Sequence, residues 1–357
     1  EIEKIKINLV SGINTTLISP RRWGKTSLIR KAVKEIADEN KNIRYCFIDL
    51  FEVRNEEEFY EVWLREIIKA SSSKWEEWIK TAKELLKGII PSFSFGLDPQ
   101  NDLNVKLELQ QSRKNIDEIL ELPEKIADKK NIQFVVCIDE FQKVAQFADS
   151  LNFQQKLRAK WQHFQKTCFC LLGSKRHIIT DLFENQAMPF YRFGDLIYLR
   201  KIEEQHWKKF IPDCYSKTGK KISVKIVKML LETVDNHPYH IQQLAHQVWI
   251  NTGKKVTPEI FLYSLDELLN YNAIMYIREI DDLSALQVSF LEAIVNGEKQ
   301  LTSKKVINKY RLGTAGNIQR LKKAIENKEI VDFFEESPCF IDPLFKVWFR
   351  RTCLRQK

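Results

Sequence analysis

The strongest indication of the fold is the segment Ser19-Pro20-Arg21-Arg22-Trp23-Gly24-Lys25-Thr26. The run NTTLIS at residues 14–19 leads into it, and apolar residues at helical spacing follow from Thr26 to about Asp38. A strand, a short loop and a helix, with Gly-Lys-Thr at the helix start, match the phosphate-loop pattern G-x4-G-K-[ST]. Ser19 stands where the pattern has its first glycine. The stretch therefore predicts a phosphate-binding loop in an α/β domain.

The residue types in this loop suit a nucleotide, ATP or ADP, together with Mg²⁺. Gly24 lets the backbone curl so that its amides point at phosphate oxygens, Lys25 reaches the β- and γ-phosphates, and the Thr26 hydroxyl ligates Mg²⁺. The helix N-terminus adds partial positive charge. The predicted nucleotide-binding residues of the loop are Pro20, Arg21, Arg22, Trp23, Gly24, Lys25, Thr26 and Ser27. The alternative is a chance Gly-Lys-Thr at a helix start.

A second motif, FVVCIDE at residues 134–140, places two carboxylates directly after an apolar run. Such a run predicts a buried central strand, and ligands of open α/β sheets bind at the carboxyl ends of the strands. Asp139 is predicted to hold Mg²⁺ together with Thr26, and Glu140 to polarise the attacking water. The alternative is an acidic strand end that is merely solvated.

Three further sites carry weaker patterns. Ser174 ends the predicted strand CFCLLGS at residues 168–174 and is a candidate sensor of the γ-phosphate, although a plain basic loop fits equally well. Arg192 in PFYRF is a candidate arginine finger. His237 and Pro238 are predicted to face the nucleotide, but a proline at this position also suits an ordinary helix start.

The distribution of apolar runs predicts three domains. Five short strands, at about residues 14–19, 44–50, 134–140, 168–174 and 195–200, alternate with helical segments, which indicates a parallel sheet covered by helices. Two of these helices are predicted at residues 56–70 and 74–88, and alternating residues at 91–110 predict a β-hairpin insertion. We assign 1–202 to this α/β core, 203–283 to a helical lid and 284–357 to a winged helix-turn-helix.

Composition excludes several other classes of protein. The seven cysteines form no CxxC pair and the six histidines form no HExxH motif, so neither a disulfide framework nor a zinc site is expected. No apolar run approaches the roughly 18 residues that span a bilayer. We therefore expect a cytoplasmic protein without a membrane partner. The net charge of +9 is compatible with a nucleic-acid partner and equally with a solvated basic surface.

The C-terminal segment carries much of this positive charge. From Ser284 to Lys357 there are 14 Lys/Arg and 8 Asp/Glu, a net charge of 14 − 8 = +6. A helix predicted near 314–328 buries Ile318, Leu321 and Ile325, which leaves Arg320, Lys323 and Asn327 on its opposite side at about 100° per residue. In a helix-turn-helix that side enters the DNA major groove. Duplex DNA contacted by Arg320 and Lys323 is one predicted partner, and a protein docked on the winged helix is the other.

Taken together, these motifs resemble the archaeal-type branch of the STAND ATPases, which are related to AAA+ ATPases. The matching elements are SPRRWGKTSL, FVVCIDEF, LLGSKR with MPFYRF, and NHPYHIQQL. The resemblance implies a switch that holds MgATP between core and lid. A nucleotide-dependent homo-oligomer is a further predicted partner, separate from the resemblance. Arg192 stands one place before the family's Tyr-Gly-Arg arginine, and the family's Gly-Arg-Glu segment before the first helix is absent.

The leading functional prediction is thus an ATP-hydrolysing molecular switch coupled to a winged-helix module. Two alternatives remain: a slowly hydrolysing signalling scaffold, and a DNA-binding regulator whose ATPase core is auxiliary. Turnover rate separates the scaffold from the enzyme. Small-molecule kinases also carry phosphate loops, but the Asp139-Glu140 pair and the winged helix argue against that class.

Overall fold

The structure, a computed structural model, describes residues 1–71, 93–97, 103–107, 116–334 and 337–354, and of 93–97 and 103–107 the backbone alone. The helix predicted at 74–88 lies outside these residues. Two compact units are present, Glu1–Arg200 (unit 1) and Lys201–Lys357 (unit 2). The finer predicted division of unit 2 into a lid and a winged helix stays a prediction.

Unit 1 alternates strands and helices, as the sequence predicts. Its described elements are α1 (Ile2–Val10), β1 (Thr15–Ile18), α2 (Lys25–Glu39), β2 (Ile43–Asp49), α3 (Glu56–Ser71), β3 (Phe93–Leu97), β4 (Leu103–Leu107), α4 (Ile116–Leu120), α5 (Leu122–Lys130), β5 (Gln133–Asp139), a 3₁₀ helix (Phe141–Gln146), α6 (Ser150–Trp161), β6 (Thr167–Gly173), α7 (Arg176–Glu184) and β7 (Asp195–Tyr198). Strands β3 and β4 pair antiparallel, with Phe93 opposite Leu107; the rest of the predicted 91–110 insertion lies outside the described residues.

Five strands form one parallel sheet in the order β2-β5-β6-β1-β7. The predicted five-stranded parallel sheet is therefore confirmed. In this order β6 lies between β1, which leads into the phosphate loop, and β5, which ends at Asp139. Because all strands run in the same direction, their carboxyl ends meet at one edge of the sheet. The loop after β1, the carboxylates after β5 and Ser174 after β6 consequently share that edge.

Successive residues of the central strands face opposite sides of the sheet. Phe134, Val136 and Ile138 of β5 pack into one core cluster, and Val135 and Cys137 into the other. Helices α1 and α2 cover the second side, and α3, α5, α6 and α7 contribute to the first. That first core is rich in aromatic side chains, which include stacked Trp161 and Phe169 with ring centroids 4.1 Å apart. Burial on both sides fixes the sheet and hence the positions of its strand ends.

Unit 2 is mostly helical. It comprises α8 (Glu204–Ser216), α9 (Val224–Thr233), α10 (Pro238–Asn251), α11 (Pro258–Asp281), α12 (Ala285–Val295), α13 (Lys304–Lys309), α14 (Ala315–Asn327), β8 (Val331–Asp332), β9 (Cys339–Phe340) and α15 (Pro343–Thr352). Strands β8 and β9 pair antiparallel directly after three helices, in the arrangement expected of a wing. On α14 the predicted residues Ile318, Leu321 and Ile325 are buried, whereas Arg320 and Lys323 are exposed.

Candidate functional site

The loop between β1 and α2 depends on the backbone conformation of its last residue, Gly24. Gly24 adopts φ +90°, the left-handed region that favours glycine, immediately before the first residue of α2. An added Cβ at Gly24 would meet nothing within 4 Å, so conformation alone requires the glycine. Arg22 also has a positive φ, whereas Ser19 does not. Ser19 can therefore replace the first glycine of the pattern without backbone strain, and its amide donates to the Gly173 carbonyl at 3.2 Å.

Lys25 and Thr26 contact the carboxylates that end β5. The buried Lys25 ammonium lies 3.0 Å from Glu140 Oε1 and 3.3 Å from Asp139 Oδ1. The Thr26 hydroxyl donates to Asp139 Oδ2 at 2.5 Å. These contacts join residues more than a hundred positions apart in the chain. Four of the predicted site residues thus form one cluster, which we call the Lys25 cluster: Lys25, Thr26, Asp139 and Glu140.

Glu140 is held by both of its carboxylate oxygens. Oε1 faces Lys25, while Oε2 accepts hydrogen bonds from the Ser174 hydroxyl, whose oxygen lies 2.6 Å away, and from the Gln142 amide. Burial raises the pKa of Glu140, but the Lys25 charge and the hydrogen bonds from Ser174, Lys25 and Gln142 together leave that pKa below its usual value. Glu140 is therefore ionised at neutral pH and can only accept hydrogen bonds.

Gln142 is a residue of the site that the sequence patterns did not single out. It lies in the 3₁₀ helix after β5, is almost fully buried, and its amide nitrogen also lies 3.4 Å from the Ser174 hydroxyl. The amide oxygen has no hydrogen-bond partner among the described residues. The one feature of the sequence that could have identified Gln142 as a site residue is its position two residues after Glu140, in Asp-Glu-Phe-Gln.

Gly173, the last residue of β6, leaves no room for a side chain beside Gln142. A Cβ there would lie 2.7 Å from two carbons of the buried Ile179 and 3.0 Å from the Gln142 amide oxygen. We expect Gly173→Ala to destabilise the protein by about 1–3 kcal/mol through overpacking, measured by urea unfolding. Gly253→Ala is the matched control, because its Cβ meets nothing within 4 Å, and its change should be near zero. Equal stability of the two variants would contradict the close packing of Gly173 against Ile179 and Gln142.

Trp23 and Arg176 connect the loop to the helix after β6. Both side chains are buried, and the Arg176 guanidinium lies 5.4 Å from the Trp23 ring centroid, within cation–π distance. Arg176 is the first residue of α7, so the contact joins two segments that follow neighbouring strands. Among the other predicted loop residues, Arg21, Arg22 and Ser27 are exposed and Pro20 is half-buried.

Arg192 and the His237-Pro238 pair lie outside the Lys25 cluster. Within the described residues, the exposed Arg192 places its guanidinium 5.1 Å from the Tyr191 ring centroid and contacts no member of the cluster. His237 and Pro238 belong to unit 2, where Pro238 is the first residue of α10 and the buried His237 packs its ring edge-on against His240. Their roles at the nucleotide stay predictions.

Among the described residues, no three His, Cys, Asp or Glu side chains group as a metal centre. The predicted Mg²⁺ ligands, Thr26 and Asp139, need no such group, since Mg²⁺ is commonly held by one or two protein oxygens together with substrate phosphates. The described part of the chain also has no helix of the length and apolarity that crossing a membrane requires. All seven cysteines are free thiols.

The five-stranded sheet, the phosphate loop and the paired carboxylates define a P-loop ATPase fold. A family model described as an ATPase domain predominantly from Archaea matches residues 7–244. The chain belongs to this family and is a nucleotide-binding ATPase, which confirms the archaeal-type resemblance. A model described as a probable winged helix domain matches residues 274–351 and confirms the winged helix. No curated protein matches the sequence.

Three solved structures share the fold. A Walker-type ATPase of Pyrococcus abyssi is 16% identical, with 98% of this chain and 94% of that chain covered and a TM-score of 0.67. The Aeropyrum pernix ORC2 protein, in ADPNP and ADP complexes, is 14% identical, with coverage of 99% and 93% and a TM-score of 0.56. The Aeropyrum pernix ORC1 protein, solved in complex with DNA, is 9% identical, with coverage of 100% and 93% and a TM-score of 0.51.

Proposed function

We propose that this ATPase is a MgATP-driven molecular switch of the STAND kind. In this proposal Lys25 binds the β- and γ-phosphates, Thr26 and Asp139 hold Mg²⁺, and Glu140 orients the attacking water. The observation that carries the proposal is the Lys25 cluster, in which two side chains from the start of α2 and two from the carboxyl end of β5 converge at 2.5–3.3 Å. Hydroxyl and carboxylate oxygens are the ligands that Mg²⁺ prefers.

The charges of the Lys25 cluster explain why nucleotide binding should require a metal ion. The two carboxylates and one ammonium sum to a net charge of −1, and Lys25 is the cation that offsets both acids. When Lys25 turns to a phosphate, Asp139 and Glu140 lose that cation in a buried place, where unpaired charge is costly. Bound Mg²⁺ supplies the compensating charge and neutralises the phosphate oxygens. The residues present therefore fit the metal.

The two carboxylate oxygens of Glu140 have different roles in the proposed mechanism. Ser174 and Gln142 hold Oε2 and thereby fix the orientation of the carboxylate, whereas Oε1 contacts Lys25 alone among the residues that the structure describes. As Lys25 moves to phosphate, Oε1 becomes available to accept a hydrogen bond from the attacking water. Ionised Glu140 is then a water-orienting base. Ser174 is in this scheme a positioning residue as well as a candidate γ-phosphate sensor.

Further parts of the switch rest on the family resemblance. We propose that unit 2 supplies a lid over 203–283 and a winged helix over 284–357, that His237 and Pro238 face the nucleotide, and that Arg192 acts as the arginine finger. The seven free thiols support the reducing cytoplasm as the site of action.

The test of this function combines calorimetry and phosphate release. ATP should bind more tightly with Mg²⁺ than with EDTA, and phosphate should be released only when Mg²⁺ is present. Binding with turnover near the background rate would favour the signalling scaffold. ATP binding that is independent of Mg²⁺ would contradict the proposed roles of Thr26 and Asp139.

Duplex DNA is a second proposed ligand, through the exposed side of α14. Arg320 and Lys323 are both solvent-exposed there, on the helix that follows the short α13 in the winged helix. The ORC1 protein of similar fold was solved with DNA. Binding through phosphate neutralisation should be weak and should fall steeply with salt. A protein docked on the same module remains the alternative.

We expect Arg320→Glu/Lys323→Glu to remove duplex binding at low salt, measured by fluorescence anisotropy, because two phosphate-facing cations become anions. The matched control is Lys225→Glu/Lys228→Glu on α9, which makes the same change in charge at exposed positions. Absence of binding by the wild type, or equal loss in both double variants, would leave α14 without a DNA role.

A further inference from the structure

Helix α11 exposes an apolar stripe although its other side is well packed. This helix spans Pro258–Asp281, 24 residues, and buries side chains such as Phe261, Leu265 and Tyr276 in unit 2. On the opposite side, Tyr271 is 75% exposed and Ile274 is 68% exposed. Tyr263, Met275 and Ile277 are also exposed. Contiguous apolar surface of this kind marks an interaction site on soluble proteins.

The spacing of the stripe is that of a helix-pairing seam. Glu267, Tyr271, Ile274 and Arg278 follow one another at steps of four, three and four residues, which is the a/d spacing of coiled coils. Tyr271 and Ile274 form the apolar centre of this seam. Glu267 gives one end of the seam a negative charge, and Arg278 gives the other end a positive charge.

We propose that this seam binds the same seam of a second copy of the chain, with the two α11 helices antiparallel. A two-fold axis between Asn272 and Ala273 places Tyr271 opposite Ile274 of the partner subunit. The same axis places Glu267 opposite Arg278 of the partner subunit. One patch therefore complements itself in shape and in charge, as an isologous dimer interface must. A parallel pairing would instead oppose acid with acid and base with base.

The charged residues at the two ends of the seam, Glu267 and Arg278, can both form an ion pair with a partner subunit. Within the described residues, Arg278 is exposed and makes no ion pair. Glu267 is oriented by Gln247, Asn251 and Tyr263, whose polar atoms lie 2.6–3.0 Å from its oxygens. A carboxylate has about four acceptor sites, so one remains for the partner guanidinium. Opposite charges across an interface favour this register over the alternatives.

Sedimentation velocity of the full chain, over about 1–200 μM, tests the dimer, because the contact of a single pair of helices buries little surface and associates weakly. We expect a concentration-dependent dimer, and Ile274→Glu should weaken its association at least about tenfold, since Ile274 lies at the interface centre. Leu262→Glu is the matched control. It makes the same kind of change on α11 at a 48% exposed position, nine residues and thus about 180° from Tyr271, and should leave the dimer intact.

Charge reversal tests the antiparallel register. Glu267→Arg and Arg278→Glu should each weaken the dimer, whereas Glu267→Arg/Arg278→Glu should recover it, with ATP affinity and helix content as checks on folding. A wild type that stays monomeric, or equal association of the Ile274 and Leu262 variants, would overturn the proposal. Failure of the double reversal to recover association would overturn the register. ATP binding and turnover by a monomeric variant keep this question separate from the proposed function.

Discussion

Glu140→Gln is expected to retain MgATP binding and to lower the rate of phosphate release by about 10²–10⁴-fold, the usual contribution of a general base. The substitution keeps the size of the side chain and removes the negative charge that Lys25, Ser174 and Gln142 stabilise. An amide cannot take the proton of the attacking water. Because Asp139 and Thr26 are unchanged, the metal and phosphate contacts should persist, and calorimetry should report nucleotide affinity near that of the wild type.

Glu57→Gln is the control for this variant, since it makes the same chemical change at an exposed position of α3. Its turnover should match the wild type. Phosphate release by Glu140→Gln within about threefold of the wild type, far below a general-base effect, would show that Glu140 is not the water-orienting carboxylate. Asp139 would then be the residue to replace next.

Lys25→Ala is expected to lower the ATP affinity measured by calorimetry by about 30-fold to more than 1,000-fold, the cost of removing one buried charge partner. Two effects act in the same direction. The phosphates lose their cation in the loop, and the buried carboxylates of Asp139 and Glu140 lose the ammonium that lies 3.0–3.3 Å away. The uncompensated negative charge then repels the nucleotide.

Two further variants separate these effects. Lys31→Ala removes an exposed lysine from the same helix, whose ion pair with Glu35 is a surface contact of little energetic weight, and should leave ATP affinity unchanged. Lys25→Ala/Glu140→Gln removes part of the repulsion. Recovery of binding in this double variant would show that Lys25 acts mainly by neutralising the carboxylates, and unchanged affinity in the single variant would remove Lys25 from the site.

The sequence alone predicted the class of fold, the ATPase class and the segments that carry the candidate site. The strand-loop-helix around Gly24, Lys25 and Thr26, and the apolar run before Asp139 and Glu140, are local patterns. Their geometry is set by backbone sterics, helix periodicity and burial over a few residues. The residues adjacent in sequence are therefore enough to recognise these motifs. The same holds for α14, where buried and exposed positions follow from helical spacing.

Which of these segments meet became known from the tertiary structure. The order of strands places β6 between β1 and β5, and this brings Ser174 to the carboxylate that Lys25 contacts from the other side. The 3₁₀ helix after β5 brings Gln142 to the site. The packing of unit 2 buries one side of α11 and leaves its apolar stripe exposed. Contacts between residues a hundred positions apart depend on sheet order and burial over the whole chain, which no local pattern encodes.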